Sequence, residues 1–153
     1  MSPPAASPTI ETVLAPVDGS EAATMAVEYA VAIAAKYDAT VHLLYVLSEE
    51  ARRGLESDTL DDERFATQSK AVVDSFHDIA DDVSVPVTES SAYGFSQTRK
   101  LVHPGSVILD SAEEVGADFI VLPRESMREE PGDVLEKAAE YVLLYASQPV
   151  LSV

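Results

Sequence analysis

The chain has no cysteine and few basic residues. Without cysteine it can form no disulfide, no thiolate metal site and no thiol nucleophile. Ten Lys and Arg stand against 27 Asp and Glu, for a formal net charge of −17. Such a surface repels phosphodiester backbones, so nucleic acid is an unfavourable partner. We interpret the acidic, lysine-poor surface as an adaptation to a very salty cytoplasm, and an acidic surface made for a basic partner as the alternative.

Long apolar runs are also absent. The opening MSPPAASPTIE has neither a basic start nor an apolar stretch of signal-peptide length, and no later run is long enough to span a bilayer. The 153 residues are 46% hydrophobic, enough to bury a full core in one domain. We therefore expect a cytoplasmic protein with a flexible tail over residues 1–8 and one domain over residues 9–153.

Apolar runs alternate with segments of helical spacing along the rest of the chain. Strands are predicted at residues 12–17, 40–46, 83–93, 117–122 and 149–153, and the later helices at residues 60–81, 106–115 and 133–146. The apolar face of the first helix is predicted at Ala22, Met25, Ala26, Tyr29, Ala30, Ile33, Ala34 and Tyr37. Pro86 puts the third strand at a sheet edge, while Ser106 caps the third helix and Gly116 ends it.

Five strands alternating with four helices indicate one doubly wound, parallel α/β sheet. Crossovers of this length suit parallel neighbours, and right-handed connections limit how the strands can be ordered. In such sheets the ligand site lies outside the carboxyl ends of the strands, where the strand order reverses. The loop after the fourth strand is therefore the place to look for a function.

Four separated pieces of the chain are informative in their order and spacing. They are PVDGSEA (residues 16–22), HLLYV (42–46), ILDSAEEVGADFIVL (108–122) and AAEYVLLYASQPVLSV (138–153). In these pieces the chain resembles the universal stress protein (UspA-like) family over residues 9–153. The resemblance implies an adenine-nucleotide-hydrolase-like, Rossmann-like sheet with strand order 3-2-1-4-5, and frequent dimerisation.

The loop after the fourth strand departs from that family's pattern. ATP-binding members carry Gly, two residues, Gly, nine residues, then Gly followed by Ser or Thr, and alignment on the tail puts these positions at Pro123, Ser126, Glu136 and Lys137. Glycine matters because phosphate is held by backbone N–H groups at positions that disfavour a β-carbon, and Pro123 also removes an N–H. Glu136 would repel a phosphate, or it completes a capping box with Asp133. The loop predicts a family member that does not bind ATP.

Two parts of the family's site remain. The resemblance implies that Asp18 lies near an adenosine and that Val46 flanks a base. The turn after Asp18 has an equally good structural role, with Ser20 as the N-cap of the first helix. If a nucleotide such as ATP or AMP binds, the candidate binding residues are Asp18, Val46, Ser126 and Lys137.

Other chemistry-bearing residues form no recognisable motif. His42, His77 and His103 have no metal-ligand spacing, so we interpret them as structural or surface residues. The segment at residues 93–104, with two aromatic residues and an Arg-Lys pair, is either a replacement contact surface or a cover for the sheet. There is no GxSxG elbow, P-loop or HExxH motif, and no acid/base pair is evident from spacing, so the sequence predicts no enzyme.

The closing run PVLSV (residues 149–153) is a short apolar strand expected at the sheet edge opposite the third strand. An exposed apolar edge favours pairing with a second copy, and the family resemblance implies a two-fold homodimer through this strand. We therefore expect a stress-response or regulatory protein that needs no cofactor and acts through protein partners. Adenine-nucleotide binding is the alternative, and ATP hydrolysis would need a phosphate positioning that the loop does not offer.

Overall fold

The computed structural model describes residues 9–18, 21–47, 62–93, 104–123 and 134–153. Residues 1–8, predicted to be a flexible tail, lie outside this part of the chain. Within it the elements are β1 (Thr12–Val17), α1 (Glu21–Tyr37), β2 (Thr40–Leu47), α2 (Asp62–Asp81), β3 (Val87–Tyr93), α3 (Pro104–Val115), β4 (Phe119–Leu122), α4 (Val134–Tyr145) and β5 (Val150–Ser152). The predicted alternation of five strands with four helices is confirmed.

The strands form one parallel sheet in the order β3-β2-β1-β4-β5, as predicted. Strands β3 and β5 are its two edges, also as predicted. Helices α1 and α2 contact each other, and so do α3 and α4. Right-handed crossovers put the two helix pairs on opposite faces of the sheet. The strand order reverses between β1 and β4, so the expected ligand edge lies at their carboxyl ends.

The central strands form the core because helices cover both of their faces. This explains why they read as unbroken apolar runs instead of alternating polar and apolar residues. The largest fully buried side chains are Leu14, Leu43, Leu44, Ile108, Ile120, Leu122, Val13, Val17, Val27 and Val41. Most of them lie on β1, β2 and β4.

The predicted apolar face of α1 is wrong in part. Met25, Tyr29 and Tyr37 are 53%, 50% and 52% exposed, whereas the buried face consists of Ala23, Ala26, Val27, Ala30, Val31 and Ala34. Apolar residues surround much of this helix, so periodicity alone leaves its orientation open. The small side chains allow α1 to lie close against β1 and β4, and the large ones are turned outward.

The starts of α3 and β3 also differ from the prediction. Helix α3 begins at Pro104, so Ser106 lies inside the first turn instead of capping it. Proline suits the first helical position because its missing N–H would have no partner within the helix there. Gly116 ends α3 with φ of 65°, as predicted. Strand β3 begins at Val87, since a turn containing Ser84 at φ of 57° follows α2.

Candidate functional site

The reversal of strand order brings Pro123 to the expected ligand edge. Strands β1 and β4 pair Val13 with Phe119 and Leu14 with Ile120. Continuing this register by three residues brings Val17 level with Pro123, which is buried. The residue that leaves β4 therefore has no N–H to offer a ligand at the strand end.

Asp18 and Val46 come together at the same edge. Val17 pairs with Tyr45 between β1 and β2, so the next residues, Asp18 and Val46, are level on neighbouring strands. Asp18 is half-buried. Val46 is only 1% exposed and belongs to the core cluster, so its side chain packs inward. A half-buried carboxylate and the buried end of β2 therefore lie side by side at this edge of the sheet.

Tyr45 is a further residue at this edge that the sequence reasoning missed. Burial raises the pKa of the Tyr45 phenol, and the negative charge of Asp18 raises this pKa further. The phenol and the carboxylate are therefore within electrostatic reach of each other. The pairing of Val17 with Tyr45 is the signal that would have found it, but a register is not evident before the strands are aligned.

The other predicted site residues are not placed by the structure. Ser126, Glu136 and the Asp133 cap lie outside the residues whose side chains are described, and so does the side chain of Lys137 on α4. The segment at residues 93–104 is described only at its ends, where β3 finishes and α3 begins. Its predicted alternatives both stay open.

His42 lies within the sheet and His77 on α2. His42 is 6% exposed, with Nδ1 at 2.6 Å from Thr88 Oγ1 and Nε2 at 2.7 Å from Ser90 Oγ. His77 Nε2 is 3.0 Å from Glu89 Oε2. His103 is outside the described residues, among which no group of three or more possible metal ligands is found.

The edge formed by β5 is partly exposed and apolar. Its described pairing is with β4 alone, through Ile120 with Val150 and the two pairs that follow. Beside it, the last turn of α4 exposes Leu143, Leu144 and Tyr145. An open cleft next to this turn is lined by Leu109, Asp110, Glu113, Tyr145, Ser147 and Gln148. Among the described helices, none is both long and apolar enough to cross a membrane.

Comparison with known proteins agrees with this architecture. The family model described as "Universal stress protein family" matches residues 9–153. Curated protein sequences give no match. Universal stress protein UspA from Lactobacillus plantarum is 25% identical and has a TM-score of 0.70, with 96% of this chain and 99% of that chain covered.

Two further similar structures are described as nucleotide complexes. A universal stress protein from Archaeoglobus fulgidus in complex with dAMP is 22% identical, with a TM-score of 0.63 and 94% and 96% of the two chains covered. A universal stress protein in complex with cAMP is 20% identical, with a TM-score of 0.67 and 95% and 98% covered. At these identities the likeness supports the fold alone. By its family match and its strand order, the chain belongs to the universal stress protein family.

Proposed function

We propose that this universal stress protein does not bind ATP and acts as a homodimeric stress-response or regulatory protein through protein partners. The observation that carries the proposal is Pro123, buried at the strand-order reversal where a phosphate cradle would begin. A cradle of this kind holds phosphate through backbone N–H groups at positions that tolerate no β-carbon. Proline has no N–H to donate, and its ring fixes φ and includes a β-carbon. Pro123 therefore meets neither requirement of such a cradle.

The charge of the chain acts in the same direction. A net charge of −17 disfavours the approach of a triphosphate. In molar salt the screening length falls to about 3 Å, so this repulsion is weakened there. The missing N–H and the fixed φ of Pro123 are therefore a stronger reason than the net charge to expect no ATP binding. The excess of acidic residues also supports a salt-rich cytoplasm as the location of the protein. We assign no catalytic activity to the ligand edge of the sheet.

Calorimetry tests the nucleotide part of the proposal. ATP, ADP and AMP are titrated into the protein in molar KCl, after denatured protein has been analysed for co-purified nucleotide. We expect no bound nucleotide and no binding up to millimolar concentration. Micromolar binding would overturn the proposal. In that event Asp18→Asn would tell whether the ligand uses the strand-end site, with Ser91→Ala on β3 as the control.

The proposed homodimer rests on the partly exposed β5 edge of the sheet. Strand β5 leaves one side without a described partner strand, and the exposed Leu143, Leu144 and Tyr145 lie on the helix beside it. A second copy related by a two-fold axis would pair β5 with β5, at residues 149–153, and cover these side chains.

Light scattering across micromolar concentrations in high salt tests this arrangement. We expect a dimer for the wild type and a shift to monomer for Leu144→Glu, whose exposed side chain would carry a charge into the interface. Val83→Glu is the matched control, because Val83 is also exposed but precedes β3 at the opposite edge. A monomeric wild type would contradict the proposal.

An adenylate-binding function is the second candidate. Asp18 and Val46 are level at the expected ligand edge, and similar structures are described with dAMP and cAMP. A monophosphate carries less charge than a triphosphate and depends less on a glycine cradle. Binding of AMP without binding of ATP in the same titration would favour this candidate.

A further inference from the structure

A histidine and two hydroxyl side chains form a cluster on one face of the sheet, away from the strand ends. His42 on β2 pairs in register with Thr88 on β3, and Ser90 lies two residues further along. Residues two apart on a strand point to the same face, so both hydroxyls flank the imidazole. The ring is almost fully buried, whereas Thr88 and Ser90 are exposed.

The three side chains are arranged as a nucleophile, its base and a group that orients the base. Ser90 Oγ is 2.7 Å from Nε2 of His42, and Thr88 Oγ1 is 2.6 Å from Nδ1. When Nδ1–H donates to Thr88, the lone pair of Nε2 is left to accept the Ser90 hydroxyl proton. A hydroxyl within hydrogen-bond reach of an oriented imidazole is the usual form of an activated serine.

The environment keeps the imidazole in its basic form. Burial lowers the pKa of His42 below 6.5, and the charge of Glu89 acts in the opposite direction with a smaller effect. Glu89 lies between Thr88 and Ser90 in sequence, so it faces the other side of the sheet, where its Oε2 is 3.0 Å from His77 Nε2. The His42 ring is therefore neutral at neutral pH and able to accept a proton.

We propose that Ser90 is a nucleophilic hydroxyl, activated by His42, that accepts an acyl group from a small uncharged ester. In the step, a bond forms between Ser90 Oγ and the carbonyl carbon, and the hydroxyl proton passes to His42 Nε2. The carbon–oxygen bond of the ester breaks, and the leaving alkoxide takes that proton from His42. The products are an acyl-Ser90 ester and a free alcohol.

The net charge favours an uncharged acyl donor. At a net charge of −17 a polyanionic phosphoryl donor is repelled, most strongly at low salt, whereas an uncharged ester is not. We expect slow acylation of Ser90, because His42 is oriented by the Thr88 hydroxyl, whereas a full catalytic triad has a carboxylate in this position. Loss of that carboxylate costs about 10⁴-fold in a serine protease, so we expect reaction only with activated esters.

The test uses p-nitrophenyl acetate, with the acetylated residue located by peptide mass spectrometry. Ser91 is the matched control within the same protein, since it is also exposed but points to the opposite face from His42. We expect acetylation of Ser90 to be about 10²-fold faster than that of Ser91, the lower end of the range for general base catalysis. The Ser90 rate should rise with pH through a midpoint below 6.5 and then level off.

Two comparisons keep the test decisive if a buried His42 variant fails to fold. Unfolding the wild type in urea should bring the Ser90 rate down to that of Ser91, because the imidazole is then no longer beside the hydroxyl. Thr88→Val, an exposed substitution, should lower the Ser90 rate by removing the acceptor that orients the ring. Equal rates at Ser90 and Ser91 in the folded protein, or a Ser90 rate unchanged by unfolding, would overturn the proposal.

Discussion

Gly105 on α3 meets Tyr141 on α4 so closely that a methyl group has no room. A Cβ built on Gly105 would lie 2.6 Å from Tyr141 Cδ1, 2.7 Å from Cβ and 2.9 Å from Cγ. A ring atom can move by rotation of the side chain, but the Tyr141 Cβ moves only with the backbone. Gly105→Ala therefore has to push α3 and α4 apart, and these helices pack against each other near the edge of the sheet.

The change in the free energy of unfolding caused by Gly105→Ala is the difference between two opposed contributions. Overpacking a tight contact costs about 1–3 kcal/mol, while alanine is better than glycine in a helix by about 0.5–1 kcal/mol. Because a backbone shift is required, we expect a net loss of about 1–2 kcal/mol for Gly105→Ala. At about 2–4 °C per kcal/mol for a domain of this size, the melting temperature should fall by about 2–8 °C.

Urea unfolding and thermal melts in high salt measure this loss. Ser106→Ala is the matched control, because it is the next residue of the same helical turn and is only partly buried. It should stay within about 0.5 kcal/mol of the wild type. A Gly105→Ala variant as stable as the wild type would refute the reasoning, since it would mean that the two helices are not in this contact.

Three further predictions concern stability. Asp118 Oδ2 accepts the backbone N–H groups of Glu11 at 2.9 Å and Thr12 at 3.1 Å, so Asp118→Ala should cost about 1–3 kcal/mol in urea unfolding, and Asp118→Asn less. Gly116 has φ of 65° with open space around it, so Gly116→Ala should cost about 1–2 kcal/mol through backbone strain alone, and an unchanged midpoint would contradict this. Because the pKa of His42 is lowered in the folded state, the unfolded state binds the proton more tightly. The wild type should therefore lose stability relative to His42→Gln as pH falls below 6.5. Above that pH the free energy of unfolding should change with pH in the same way for both proteins.

Part of the ligand edge was evident from sequence and part was not. The loss of the glycines can be read from the chain because the pattern is a spacing of residues, and Pro123 lies at the predicted strand end. Tyr45 escaped notice because its proximity to Asp18 depends on the register of β1 with β2. Whether Ser126 and Lys137 join Asp18 and Val46 stays a prediction.

The spacing of residues along the sequence could not have predicted the His42 cluster either. Its residues are 46 and 48 positions apart in the chain, and only the pairing of β2 with β3 puts them side by side. A search for known nucleophile motifs finds nothing there, because the arrangement depends on strand pairing and not on a local turn.

The sequence by itself determined the order of strands and helices, the edge position of β3 and the end of α3 at Gly116. The element order and the end of α3 follow from local causes, namely unbroken apolar runs, helical periodicity and a glycine at positive φ. The edge position of β3 was predicted correctly, although Pro86, the reason for that prediction, lies just before the strand. The tertiary structure alone decided which face of α1 is buried and which polar side chains meet. Both depend on how closely distant elements approach, and small residues such as Ala26 and Gly105 set that distance only once a partner element lies against them.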